Sequence, residues 1–88
     1  MQNVLDKFNM KGRTVSVTGG GGLLGRQFAL ALAQAGADVM LADLAFEAAA
    51  DQAEVIRAEG LSAAALAVDV IDPDSTRAMV EQTLARFG

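Results

Sequence analysis

Apolar and polar positions along the chain fall into six alternating blocks. The β-branched run Thr14-Val15-Ser16-Val17-Thr18 reads as a strand buried on both faces, and predicts β structure over 14–18. Glycines 19 to 22 break it. Leu24, Phe28 and Leu32 then recur every fourth position through an alanine-rich stretch that stops at Gly36, predicting a helix with those residues as its buried stripe. Val39-Met40-Leu41-Ala42, ending at Asp43, is too short for a buried helix and predicts a second strand. Helix formers fill residues 45–59, with Phe46, Ala49, Ala53 and Ile56 on one face and Gly60 as the stop. Residues 63–70 are apolar again and predict a third strand from their place in the alternation, although the alanines taken alone favour helix. Asp72 offers an N-cap, Pro73 suits the first helical position and Asp74 favours the positive helix start. Val80, Leu84 and Phe87 form the expected buried stripe of that third helix.

The order β-α-β-α-β-α, with short connections and crossover helices, predicts an α/β fold: half of a doubly wound parallel sheet, in one domain spanning 1–88. Composition adds the expectation that this domain is incomplete. A chain of 88 residues is 52% hydrophobic with a mean hydropathy of +0.32, more apolar material than so small a domain buries. Strand one or strand three is expected as an unprotected edge, and the isolated chain is expected to associate with itself. With no Cys and no His, thiol nucleophiles, imidazole bases and the usual zinc sites are excluded. The net charge of −4 has the wrong sign for nucleic acid or an anionic membrane surface. Met1 to Lys11 carries charges and Asn where a secretory segment would be apolar, and no apolar run reaches membrane-spanning length, so a cytoplasmic location is expected.

Chemistry concentrates in Thr18-Gly19-Gly20-Gly21-Gly22-Leu23-Leu24-Gly25, between a strand and a helix. Glycine permits the tight turn, the missing side chains let backbone N–H groups approach a pyrophosphate, and the helix start presents unpaired donors. Two glycine registers coexist: Gly20, Gly22 and Gly25 satisfy G-x-G-x-x-G, while Gly19, Gly22 and Gly25 satisfy T-G-x-x-G-x-x-G. No Lys-Ser or Lys-Thr pair follows, so the mononucleotide P-loop pattern fails. The competing bland reading is a tight turn without ligand. Asp43 ends the second strand about 20 residues past the loop, where a carboxylate accepts hydrogen bonds from the adenosine ribose of NAD and repels the 2′-phosphate of NADP. Leu44 and Ala45 supply no cation for that phosphate, so NAD is preferred. Asp69, at the expected end of strand three, is placed with Val70 to contact the adenine edge. Either aspartate could instead bond only local backbone N–H groups. Asp69, Asp72 and Asp74 could suggest a hard-metal cluster, but capping of the third helix explains Asp72 better, and no metal is expected.

Together these residues resemble the N-terminal half of a short-chain dehydrogenase/reductase, with a Rossmann-type sheet. The resemblance rests on Phe8-Asn9-Met10-Lys11-Gly12-Arg13, Val17-Thr18-Gly19 with the glycine loop, Asp43, and Val68-Asp69-Val70 followed by Asp72-Pro73. It implies that Gly19, Gly22, Leu23 and Leu24 line the pyrophosphate and its ribose, and that Gly25 allows close helix packing. Asp43 would bind the adenosine ribose, and Asp69 with Val70 would frame the adenine. Leu23 departs from the compact family pattern T-G-x-x-x-G-x-G and agrees with the extended epimerase-like pattern. The opener, the Asp43 to Asp69 spacing and Asp72-Pro73 favour the compact oxidoreductase type. The family's Asn-Asn-Ala-Gly segment, catalytic Ser and Tyr-x-x-x-Lys pair are not in these residues, and the chain has no Tyr, so it is expected to be inactive alone. In an intact relative the resemblance implies hydride transfer between nicotinamide and a small-molecule substrate. The alternatives are a non-catalytic nucleotide-binding module and a fragment of an extended-type sugar-nucleotide epimerase or dehydratase.

Overall fold

The computed structural model describes residues 10–88; Phe8 and Asn9 of the opener, and most of the leader-like comparison over 1–11, lie outside the described residues. Six elements follow in strict alternation: β1 (Thr14–Thr18), α1 (Leu23–Gln34), β2 (Asp38–Asp43), α2 (Phe46–Ala58), β3 (Ala63–Ala67) and α3 (Pro73–Phe87). The strands form one parallel sheet in the order β1-β2-β3, with Thr14 beside Asp38 and Val39 beside Ala63. The α/β half-sheet expected from the apolar pattern is the fold observed.

Strand alternation sends successive side chains to opposite faces and so builds two cores. On one face Val39, Leu41 and Ala63 meet Ala29 and Ala33 of α1 and Ala49, Ala53 and Ile56 of α2, with Val15 and Val17 of β1 packed against them. On the other, Met40, Ala42, Ala64 and Leu66 meet Met79 of α3, with Phe87 packed alongside. Helices on both faces explain why β2 is apolar at four successive positions, Val39 to Ala42, all of them buried. Leu41, Ile56 and Val39 are the largest fully buried side chains, each worth about 1.5–3 kcal/mol of burial. A polar pair joins β1 to α3: Ser16 Oγ lies 3.2 Å from Thr83 Oγ1, whose proton goes to the Met79 carbonyl at 2.7 Å.

The expected buried stripes are displaced by one residue on two helices. In α1 the row facing the sheet is Ala29 and Ala33, while Leu24 and Phe28 are exposed and Leu32 is half-buried. In α3 it is Met79 and Thr83, while Val80 and Leu84 are exposed. In α2 Ala49, Ala53 and Ile56 are buried as expected but Phe46 is 48% exposed. Small side chains let a helix lie close to the strands, so the alanine row wins the contact and the adjacent row of larger side chains turns outward. Strand three also ends earlier than expected, at Ala67, which leaves Asp69 and Val70 in the following turn.

The helix boundaries follow the chain's punctuation. Gly36 and Gly60 have φ of 106° and 80°, a region that ends helices and favours glycine. Asp72 caps α3, its Oδ1 accepting the Asp74 N–H at 3.0 Å, with Pro73 at the first turn. Arg57, in the last turn of α2, donates to the Ala63 carbonyl at 2.8 Å and so ties that helix to the start of β3. Among the described residues, no helix is long and apolar enough to cross a membrane.

Candidate functional site

The C-terminal ends of the three strands meet the glycine loop at one edge of the sheet. Gly19 leaves β1 with φ of 70°, turning the chain back in a conformation that L side chains rarely adopt. Gly20 is buried, its N–H donating to the Ala42 carbonyl at 3.1 Å, and the Gly22 N–H closes the turn on the Gly19 carbonyl at 3.0 Å. Leu23 then begins α1, with Gly22 as N-cap and no side-chain cap. An uncapped start leaves the amides of Leu23, Leu24 and Gly25 without intrahelical acceptors, at the positive end of a 12-residue helix. At Gly25 an added Cβ would fall on the carbonyl oxygen of Gly19, so the first turn of α1 rests directly on the loop. The result is a cradle of backbone donors with no side chain in its floor, which fits a pyrophosphate.

Asp43 ends β2 beside this loop. Its Oδ2 accepts the Gly21 N–H and its Oδ1 the Ala45 N–H, both at 2.9 Å. Local backbone bonds and ligand binding are therefore compatible, because a carboxylate has about four acceptor positions and two are in use. Asp69 accepts the Ile71 N–H on Oδ1 at 3.0 Å, while its own N–H donates to Ser75 Oγ at 2.9 Å; the two bonds fix the turn between β3 and α3.

Between these groups lies an open cleft of about 270 Å³. Gly19, Asp43 and Asp69 supply its polar wall, and Leu44, Val68, Val70 and Ile71 its apolar one. Leu44, Val70 and Ile71 are 76%, 64% and 88% exposed, so a flat apolar ring entering here would cover surface that water now wets. Four of the sequence-identified positions thus converge: Gly19, Asp43, Asp69 and Val70 line one cleft. Gly22 and Gly25 shape its adjoining loop. Leu23 and Leu24 stand at the start of α1 with side chains 79% and 66% exposed and outside the cleft lining, offering backbone N–H groups to the loop side. Leu44 and Ile71 were not legible as lining residues, since nothing in the local pattern distinguishes them from ordinary loop positions. Gly21 was read only as part of the glycine run, yet its N–H is the one that reaches Asp43.

Three parallel strands with helices on both faces have the form of the N-terminal half of a Rossmann-type sheet, and known proteins share it. The family model adh_short, short chain dehydrogenase, matches residues 13–88. The chain belongs to the short-chain dehydrogenase family. It is 40% identical over 85 residues to an uncharacterised oxidoreductase of Mycobacterium tuberculosis, covering 97% of this chain and 32% of that protein. It is 39% identical over 80 residues to a 2,5-dichloro-2,5-cyclohexadiene-1,4-diol dehydrogenase of Sphingobium indicum, covering 91% of this chain and 31% of the relative. The crystal structure of a hydroxysteroid dehydrogenase from Escherichia coli superposes with a TM-score of 0.90 at 26% identity, over 94% of this chain and 35% of that one. The chain therefore spans about a third of the length of the relatives it matches.

Proposed function

We propose that this chain is the NAD-binding half of a compact-type oxidoreductase acting on a small-molecule alcohol or its carbonyl partner, with NAD preferred over NADP. The observation that carries the reading is the Asp43 carboxylate, held by two backbone N–H groups at the mouth of the cleft beside the glycine loop. A ribose diol satisfies such a carboxylate, and a 2′-phosphate placed there meets like charge. The residues fit the cofactor in parts. Amides of Leu23 and Leu24 would face the pyrophosphate, Gly19, Gly22 and Gly25 would shape the approach, and Asp43 would take the adenosine ribose. Asp69 and Val70, with Leu44 and Ile71, would enclose the adenine. When bound, the nicotinamide supplies a hydride acceptor or donor at its C4 position. The proton on the substrate hydroxyl needs a titratable group, and the chain carries no Tyr, His or Cys to exchange it near neutral pH. The 88-residue chain by itself is accordingly read as inactive, and its exposed Leu24, Phe28, Val80 and Leu84 favour association.

The diol dehydrogenase and the hydroxysteroid dehydrogenase that the chain resembles support the substrate class, and their names support the oxidoreductase reading over the epimerase one. Calorimetric titration of the intact protein with NADH and NADPH tests the cofactor assignment. The expected result is NADH bound about tenfold or more tightly than NADPH, the scale of one charged interaction gained or lost. Equal affinity, or tighter NADPH, would reject NAD preference.

A further inference from the structure

Gly21 is pinned on three sides. Its N–H donates to Asp43 Oδ2 at 2.9 Å. Its carbonyl accepts from Arg26 Nε, one turn into α1, at 3.1 Å. An added Cβ at Gly21 would lie 2.5 Å from the Cβ of Ala48 and 3.0 Å from the Ala48 carbonyl carbon and the Ala49 nitrogen, in the first turn of α2. Two of those three atoms are backbone, so the contact has little room to yield. The loop backbone thus lies flat against α2, and that contact holds the Gly21 amide within reach of the carboxylate.

Asp43 has two oxygens and two torsions, and each oxygen is tied to a different segment: Oδ1 to Ala45 on its own connection, Oδ2 to Gly21 on the glycine loop. The second bond is the one that sets the carboxylate plane relative to the loop. We propose that Gly21 is a positioning residue for cofactor choice, acting through its amide on Asp43, with Ala48 as the steric key that seats it and Arg26 as the anchor of its carbonyl. The proposal rests on the reading of Asp43 as the ribose acceptor and adds which residues orient that acceptor. NADPH, which gains nothing from an oriented carboxylate, should be largely indifferent to these residues, and this separates a positioning role from general loosening of the loop.

The test is a double-substitution cycle on the intact protein, titrated with NADH and NADPH. Gly21→Ala is expected to lower NADH affinity about tenfold, the scale of one charge-assisted hydrogen bond, and NADPH affinity much less, so the preference ratio falls. In an Ala48→Gly background, where the closest contact at 2.5 Å is removed and the two backbone contacts at 3.0 Å remain, the same substitution is expected to cost clearly less than in the wild-type background. Arg26→Leu, at an exposed position that leaves the loop sequence intact, should lower the ratio in the same direction, and it carries the test if Gly21→Ala does not fold. Equal losses in both Ala48 backgrounds, or a ratio unchanged by Gly21→Ala, overturns the proposal. So does a ratio that rises in Arg26→Leu, which would mark a direct contact with the 2′-phosphate. A wild type that prefers NADH while showing no coupling rejects the positioning role alone. A wild type without that preference rejects the cofactor reading and the proposal together.

Discussion

Gly25→Val is expected to abolish NADH and NADPH binding together and to destabilise the protein by about 3 kcal/mol, the upper range for forced overpacking. A Cβ at this position collides with the carbonyl oxygen of Gly19 and would also crowd the Gly19 carbonyl carbon and the Gly20 Cα. All three are backbone atoms, so no rotamer change relieves the clash. Either α1 moves off the loop or the loop leaves the cradle, and in both cases the amides of Leu23 and Leu24 lose their common aim. Gly22→Ala is the matched control. Its φ of −78° suits any residue and its added Cβ would sit 3.3 Å from the Gly19 carbonyl, a contact met by a small shift. That variant should lose no more than about 1 kcal/mol of stability. Denaturant melts with parallel cofactor titrations check both; a Gly25→Val protein that melts and binds like wild type would contradict the packing argument.

Asp43→Ala is expected to weaken NADH binding about 100-fold and to leave NADPH binding within about threefold, so that NADPH is bound at least as tightly as NADH. The magnitude follows from losing the acceptors for two ribose hydroxyls, at about 1.5 kcal/mol for each charged hydrogen bond. NADPH changes less because one unfavourable effect, the repulsion between carboxylate and 2′-phosphate, disappears as the acceptor is lost. Asp43→Asn separates the two causes: it keeps a carbonyl acceptor for one backbone amide and removes the charge, so its NADH loss should be smaller while the preference still collapses. Titration calorimetry reads all four affinities. An Asp43→Ala protein that retains the wild-type NADH to NADPH ratio would place ribose recognition elsewhere.

The three strands, three helices and parallel order were legible because the chain changes period sharply at its glycines and because β2 is apolar on both faces. The Asp72-Pro73 cap was legible for a similar reason: its chemistry is local and the structure forms the expected bond. The buried helix rows were not, and the reason is geometric. Leu24, Phe28 and Leu32 form a row as regular as Ala29 and Ala33, one residue away, and period alone does not choose between neighbouring rows. Approach distance decides, and it favours the smaller side chains. In α3 size does not choose, since Met79 is larger than Val80; there the buried row is the one whose Thr83 hydroxyl donates to the Met79 carbonyl and lies beside Ser16.

At the site, Gly19, Gly25 and Asp43 could be found from spacing because each answers a local demand: a left-handed turn, a helix laid on a loop, a strand end. Asp69 and Val70 line the cleft although the strand stops two residues before Asp69. Leu44, Ile71 and Ala48 could not be found, since their roles come from segments distant in sequence meeting at the sheet edge. Gly21 illustrates the limit most clearly. Four successive glycines look interchangeable in the sequence, and only the packing of α2 against the loop shows that the third reaches Asp43.

The most direct test of the central claim is a crystal structure of the intact protein with NADH bound. The adenosine ribose hydroxyls are expected on Asp43, the pyrophosphate over the amides that follow Gly22, and the adenine between Leu44 and Val70. A cofactor seated away from this cleft, or a ribose held by other residues with Asp43 still bonded only to Gly21 and Ala45, would contradict it.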